Sequence, residues 1–195
     1  MSTSFQISSI SPLDGRVWII GRVLSGEITA GDTLLAVGLE KTECRIQEVR
    51  VSGSSRTAIK GEEAELFLNE DQNALLQKGT QAFFALLKPG TVRAVTRLQA
   101  ELKWTSLEDG DLSPGSPVTP VIGAITEDTA VILLFGDIKI RGTLLRKKEI
   151  KPLGGTEVWD IELEREIPLI PGYAFHLDIA GESAAMGIVA GGSLE

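Results

Sequence analysis

The chain offers one thiol and one imidazole, Cys44 and His176, for nucleophilic or acid–base chemistry. A catalytic nucleophile needs a base within hydrogen-bond reach and a carboxylate or amide orienting that base. Arg45 follows Cys44 and favours a thiolate, but a free cysteine in an alternating segment packs as a small apolar residue. His176 stands between Phe175 and Leu177 and reads as a surface or rim position of a sheet. One Cys and one His far apart in the chain have no metal-ligand spacing. No catalytic residue, metal or cofactor is expected.

Three acidic clusters follow: Glu62-Glu63-Glu65, Glu108-Asp109-Asp111 and Glu162-Glu164-Glu166. Asp109-x-Asp111 has calcium-like spacing but lacks the next Asp or Asn and the distant Glu, so it reads as a solvated turn. Glu162, Glu164 and Glu166 recur at period two, the solvent face of a strand, where they would also discourage edge pairing. The one basic concentration, Arg141 with Arg146, Lys147, Lys148 and Lys151, reads as a patch for an acidic partner or an RNA backbone, or as a solvated strand end. It is short and has no interleaved aromatics. Trp18, Trp104 and Trp159 read as core or inter-barrel packing, with Trp18, a large amphipathic ring suited to an exposed barrel face, also a candidate interface anchor.

These residues must be positioned by strands. Apolar residues make up 43% of the 195-residue chain, enough for one or two cores, and 21 glycines suit many turns. Alternation predicts strands at Phe5–Ser11 and Cys44–Val51, and apolar runs between turn signals predict strands at Gly15–Ser25, Thr33–Gly38, Glu65–Leu68 and Thr80–Leu87. The phase slips between Ile46 and Val49, which predicts a bulge. Pro12–Gly15 and Gly53–Ser55 read as turns, and Asp71–Gly79 as the one helical turn, with Gly79 as its stop. After Lys88-Pro89-Gly90, a boundary signal, strands are expected from Val92, at Leu98–Trp104, and at about 118–125, 129–135, 137–146, 157–163, 173–179 and 185–190. Glu108–Pro117 and Leu153–Gly155 read as turns and loops, Ile167–Gly172 as an edge or corner, and the last five residues are given no structural role. The expected fold is all-β: two tandem β-barrels, residues 1–89 and 90–195.

The order Gly15-Arg16…Gly21-Arg22-Val23…Gly26…Ile28…Gly31-Asp32 resembles the second domain of translation elongation factor Tu. Lys88-Pro89-Gly90-Thr91 resembles the junction to its third domain. Residues from Val158 to Glu164, then Ile167-Pro168-Leu169, Tyr173 to Leu177 and Gly187-Ile188-Val189, resemble the third domain itself. The resemblance implies both barrels without the GTPase, since no G-x-x-x-x-G-K-[ST] phosphate loop occurs and no GTP is expected. In that family the second domain holds the aminoacyl end of tRNA through positions that fall here at Arg50, Ser52 and Glu63, none of which keeps the family residue. The family's Arg-Thr pair near the final strand reads Ser183-Ala184 here.

The net charge of −8 works against RNA or ribosome binding that the resemblance would otherwise imply. The expected function is a non-catalytic, standalone binding module, translation-linked by resemblance, with a protein partner. A protein-interaction or regulatory module outside translation is the alternative, and an unrecognised enzyme the third reading. No leader and no membrane-spanning run is seen, so a cytoplasmic, reduced protein is expected. Oligomeric state stays open.

Overall fold

A computed structural model describes residues 3–14, 16–68, 73–91, 93–104, 125–151 and 156–193. The chain folds as two antiparallel β-barrels in tandem. The first contains β1 (Ser4–Leu13), β2 (Arg16–Ser25), β4 (Thr33–Gly38), β5 (Lys41–Val51), β8 (Glu63–Leu68) and β9 (Phe83–Leu87). Their order is β4-β9-β1-β2-β8-β5, and a β4–β5 pairing closes the ring. The hairpin strand β6 (Ser54–Ser55) extends β5, while β3 (Glu27–Ile28) and β7 (Ala58–Ile59) form a separate ribbon. The second barrel closes in the order β10 (Ala94–Trp104), β13 (Thr156–Pro168), β12 (Ile138–Lys151), β11 (Ala130–Phe135), β14 (Ala174–Ile179), β15 (Glu182–Ser193).

Local sequence explains these elements. Val17, Ile19, Gly21 and Val23 point into the first barrel from β2, and Arg16, Trp18 and Ile20 point out. Gly21 lies where β2 crosses Phe5 and Gln6 of β1: a Cβ there would sit 1.9 Å from the Gln6 carbonyl oxygen and 2.6 Å from the Phe5 ring. Only glycine permits that approach. The expected bulge on β5 is present, since Ile46 faces Leu68 and Glu48 faces Phe67, with Gln47 left over. The β3–β7 ribbon is followed on both sides by matching turns. In Thr29–Asp32 and Ile59–Glu62, the fourth N–H reaches the first carbonyl, the third residue is a glycine at φ 97° or 91°, and the fourth residue's carboxylate accepts the first N–H. A left-handed third residue is what a type II turn requires.

The sequence expectations need local corrections. β1 runs through Pro12, which pairs with Val17, and Asp14 beyond its end is left-handed at φ 49°. Ser54 and Ser55 form a strand, because the left-handed pair Ser52-Gly53 (φ 52° and 77°) makes a two-residue hairpin turn. The helix is Asn73–Lys78; Gly79 ends it at φ 52° and opens a 3-10 turn, Gly79–Gln81, where a strand was expected to start. The final glycines do have a structural role: Gly191 and Gly192 pair with Gln99 and Leu98 in β15. Glu162, Glu164 and Glu166 are exposed, but β13 lies between β10 and β12, so the closed ring leaves no edge to protect. The corner expected at Ile167–Gly172 is made by Pro168 ending β13 and by a tight turn in which Gly172 has φ 85°. The turn at Leu153–Gly155, the loop at Glu108–Pro117 and the strand at 118–124 lie outside the described residues.

The barrels are not independent beads. β9 is buried on both faces: Phe83 and Leu86 join the first core, while Phe84, Ala85 and Leu87 join the second. A register shift between β4 and β9 pairs Val37 with Ala85 and Gly38 with Phe83, leaving Phe84 as the extra residue. That bulge turns the Phe84 ring out of its own barrel. The ring packs 5.2 Å from both Phe135 and Tyr173, which themselves lie 5.5 Å apart, and Phe135 reaches Phe175 at 5.2 Å. Thr80 Oγ1 donates to Asp137, and Gln6 Nε2 to the Ala174 carbonyl at 3.5 Å, across the same junction. Between the barrels, Lys88–Thr91 form a turn with Gly90 at φ 80° and Thr91 N–H donating to the Lys88 carbonyl at 3.2 Å.

Candidate functional site

The outer face of the first barrel assembles Trp18 and Arg50, two of the residues singled out by sequence. Trp18 of β2 pairs with Phe67 of β8, which pairs with Glu48 of β5, so three strands bring these side chains into one row. Phe67 faces away from the barrel interior, yet it is only 1% exposed. What covers it is polar. The guanidinium carbons of Arg16 and Arg50 lie 4.8 and 4.5 Å from its ring centroid, and the Trp18 indole lies nearly parallel to it at 6.4 Å. Cation–π attraction supports both guanidiniums on that ring.

Glu48 holds the pair in place. Arg50 Nε donates to Glu48 Oε1 at 2.6 Å, Ser55 Oγ to the same oxygen at 3.0 Å, and Arg16 Nη1 to Oε2 at 3.1 Å. These bonds, that from Arg50 first, hold the Glu48 carboxyl below the usual carboxylate range. Half-buried Trp18 has its Nε1 shielded from solvent, with no hydrogen-bond partner among the described residues. The cluster therefore presents an indole, two oriented guanidiniums and one shared carboxylate on a rigid sheet. Such an arrangement can bind a partner surface.

The other positions scatter. Arg50 faces Glu65 in the β5–β8 ladder, two residues from Glu63 on the same face, and Ser52 sits at the adjoining hairpin tip. Glu63 is engaged with Arg22 at 3.4 Å and stays exposed, so the three residues carried over by resemblance share one end of a sheet without converging on a ligand. In the basic set, Arg141 is exposed on β12; the side chains of Arg146, Lys147, Lys148 and Lys151 lie outside the described residues, although their backbone continues that strand. Asp109 and Asp111 also lie outside them.

Cys44 and His176 are in different barrels. Cys44 is 1% exposed in the first core, its Sγ 3.4 Å from the Leu34 carbonyl, and burial pushes its thiol up to about 12. His176 is exposed on β14. Trp159 is buried in the second core and Trp104 packs against that core; both donate Nε1 to Glu157 Oε2 at 2.9 Å. Among the described residues, no group of acidic, His and Cys side chains is arranged to hold a metal ion. No helix among them is long and apolar enough to cross a membrane.

Sequence reasoning missed Arg16, Glu48 and Phe67. Their signal was present: once Trp18 is read as facing out, Arg16 shares its face by period two, and the bulge sets Glu48 outward beside it. A cleft of about 630 Å³ at the first barrel's end was also missed; the two turns contribute Thr29, Asp32 and Lys60, and the junction contributes Thr3 and Lys88.

No family model matches the chain, and no curated protein matches it.

Proposed function

We propose that this chain is a non-catalytic binding module of the kind formed by the second and third domains of elongation factor Tu, working in the cytoplasm on a protein component of translation. The observation that carries the reading is the outer face of the first barrel, where Trp18, Arg16 and Arg50 surround Phe67. Trp, Arg and Tyr anchor most protein interfaces, and guanidiniums already oriented by Glu48 lose little entropy on docking. The tandem barrels, the Lys88-Pro89-Gly90 junction and the glycine-restricted crossing at Gly21 support the likeness to that factor. The positions that would hold a tRNA end support a partner other than tRNA: Arg50 is engaged with Glu48, and Glu63 with Arg22. Charge argues the same way, with 9 Lys and Arg against 11 Asp and Glu in residues 1–89, and 10 against 16 in residues 90–195.

Co-sedimentation with ribosomes and direct binding to tRNA, both at low salt, test the proposal. Ribosome association that falls about tenfold or more in Trp18→Ala, a hot-spot-sized loss, without tRNA binding, supports it. Absence of ribosome association sinks the translation link. Tight tRNA binding with a steep salt dependence sinks the choice of a protein partner.

A further inference from the structure

We propose that the chain forms a two-fold dimer through the outer face of β15, with Met186 of each copy on Ile188 of the other and Lys103 of each copy against Glu101 of the other. β15 sends Ala185, Gly187 and Val189 inward and Met186, Ile188 and Ala190 outward. Met186 and Ile188 are 52% and 49% exposed, and they stand side by side on one strand, unlike the isolated exposed Leu13 and Leu39 of the first barrel. Adjacent large apolar side chains on an otherwise polar sheet mark a contact surface. β15 is hydrogen-bonded on both sides within a closed ring, so a partner must pack face to face and cannot add a strand.

The neighbours select the partner. One row across three strands reads Lys103, Met186, His176, and the next reads Glu101, Ile188, Ala174. The rows lie two residues apart along β15, about 7 Å. A two-fold axis in the interface plane, at right angles to β15 and midway between the rows, exchanges them. Met186 then meets Ile188, Lys103 meets Glu101, and His176 meets Ala174, each contact occurring twice. That is the self-complementarity an isologous interface requires. Had Glu101 and Lys103 carried the same sign, the same axis would have set like charges opposite each other. Six side chains per copy make a small contact against the roughly 800 Å² per partner of a standard stable interface, so the dimer is a reversible, concentration-dependent one.

Sedimentation equilibrium of the full chain at rising concentration tests this. The wild type is expected to pass reversibly from monomer to dimer. Met186→Glu should weaken the dimer about tenfold or more, and Lys103→Glu should do the same by placing carboxylate against carboxylate. The double exchange Glu101→Lys/Lys103→Glu should restore wild-type affinity, because it inverts both charges and keeps every cross-axis pair opposite. All three changes are at outward positions, and unchanged melting curves would show that the variants fold. A wild type that stays monomeric, a dimer indifferent to Met186→Glu, or a double exchange no tighter than Lys103→Glu alone would overturn the proposal.

Discussion

Replacing Phe84 by alanine tests how the two barrels are joined. The ring is 2% exposed and belongs by sequence to the first barrel, but its partners, Phe135 and Tyr173, belong to the second. A buried phenylalanine takes about 150–250 Å² out of water, worth about 4–6 kcal/mol at 25 cal/mol per Å². Alanine keeps the Cβ, and neighbouring rings relax partly into the space, so the expected loss is about 3–5 kcal/mol. Because the contact lies between barrels, the loss should also change the form of unfolding. Urea denaturation followed in parallel by tryptophan fluorescence and far-ultraviolet circular dichroism gives both quantities. The wild type is expected to show one transition with coincident probes, and Phe84→Ala a lower midpoint with probes that separate. A loss below about 1 kcal/mol with probes still coincident would refute the claim that this ring couples the barrels.

Other changes test individual contacts. Gly21→Ala forces a Cβ into the Gln6 carbonyl, and overpacking of about 1–3 kcal/mol, or more against backbone, should lower the melting temperature by roughly 4–10 °C. Tyr173→Phe removes a buried hydroxyl that has no hydrogen-bond partner among the described residues, so calorimetry should find the variant no less stable, and up to about 1 kcal/mol more so. Cys44 should resist a thiol reagent at pH 8 in the folded protein and react in full once unfolded, since burial suppresses its thiolate; fast labelling of the native chain would contradict its placement. Glu48 has a folded-state pKa below its unfolded value, so its contribution is present above about pH 4.5 and is lost as pH falls through the lower folded value. Acid titration of stability should therefore fall less steeply in Glu48→Gln than in the wild type.

The fold was legible wherever one face of a strand meets water. The alternation of β2, β5 and β13 follows the inward and outward sets observed, and the slip between Ile46 and Val49 marked a real bulge. It was less legible at the junction. Phe83–Leu87 is continuously apolar because both its faces are covered, a pattern that shows burial without showing what does the covering. The bulge that turns Phe84 into the second barrel is set by pairing with β4, a long-range fact that no local window contains. The same limit applies to the candidate site. Trp18 stood out as a large ring on an outward position, but Phe67 looks like any apolar strand residue until β2 and β5 bring Arg16, Arg50 and Glu48 around it. The Lys103–Met186 and Glu101–Ile188 rows are likewise assembled from strands distant in sequence.

We propose that a translation partner docks on the Trp18 face. Oxidative footprinting of the tryptophans, with and without ribosomes, addresses it most directly. Trp18 should become protected when ribosomes are added, while Trp104, packed on the second core with its N–H bound to Glu157, stays unchanged. Ribosome association with Trp18 as reactive as in the free protein would rule this face out as the docking site.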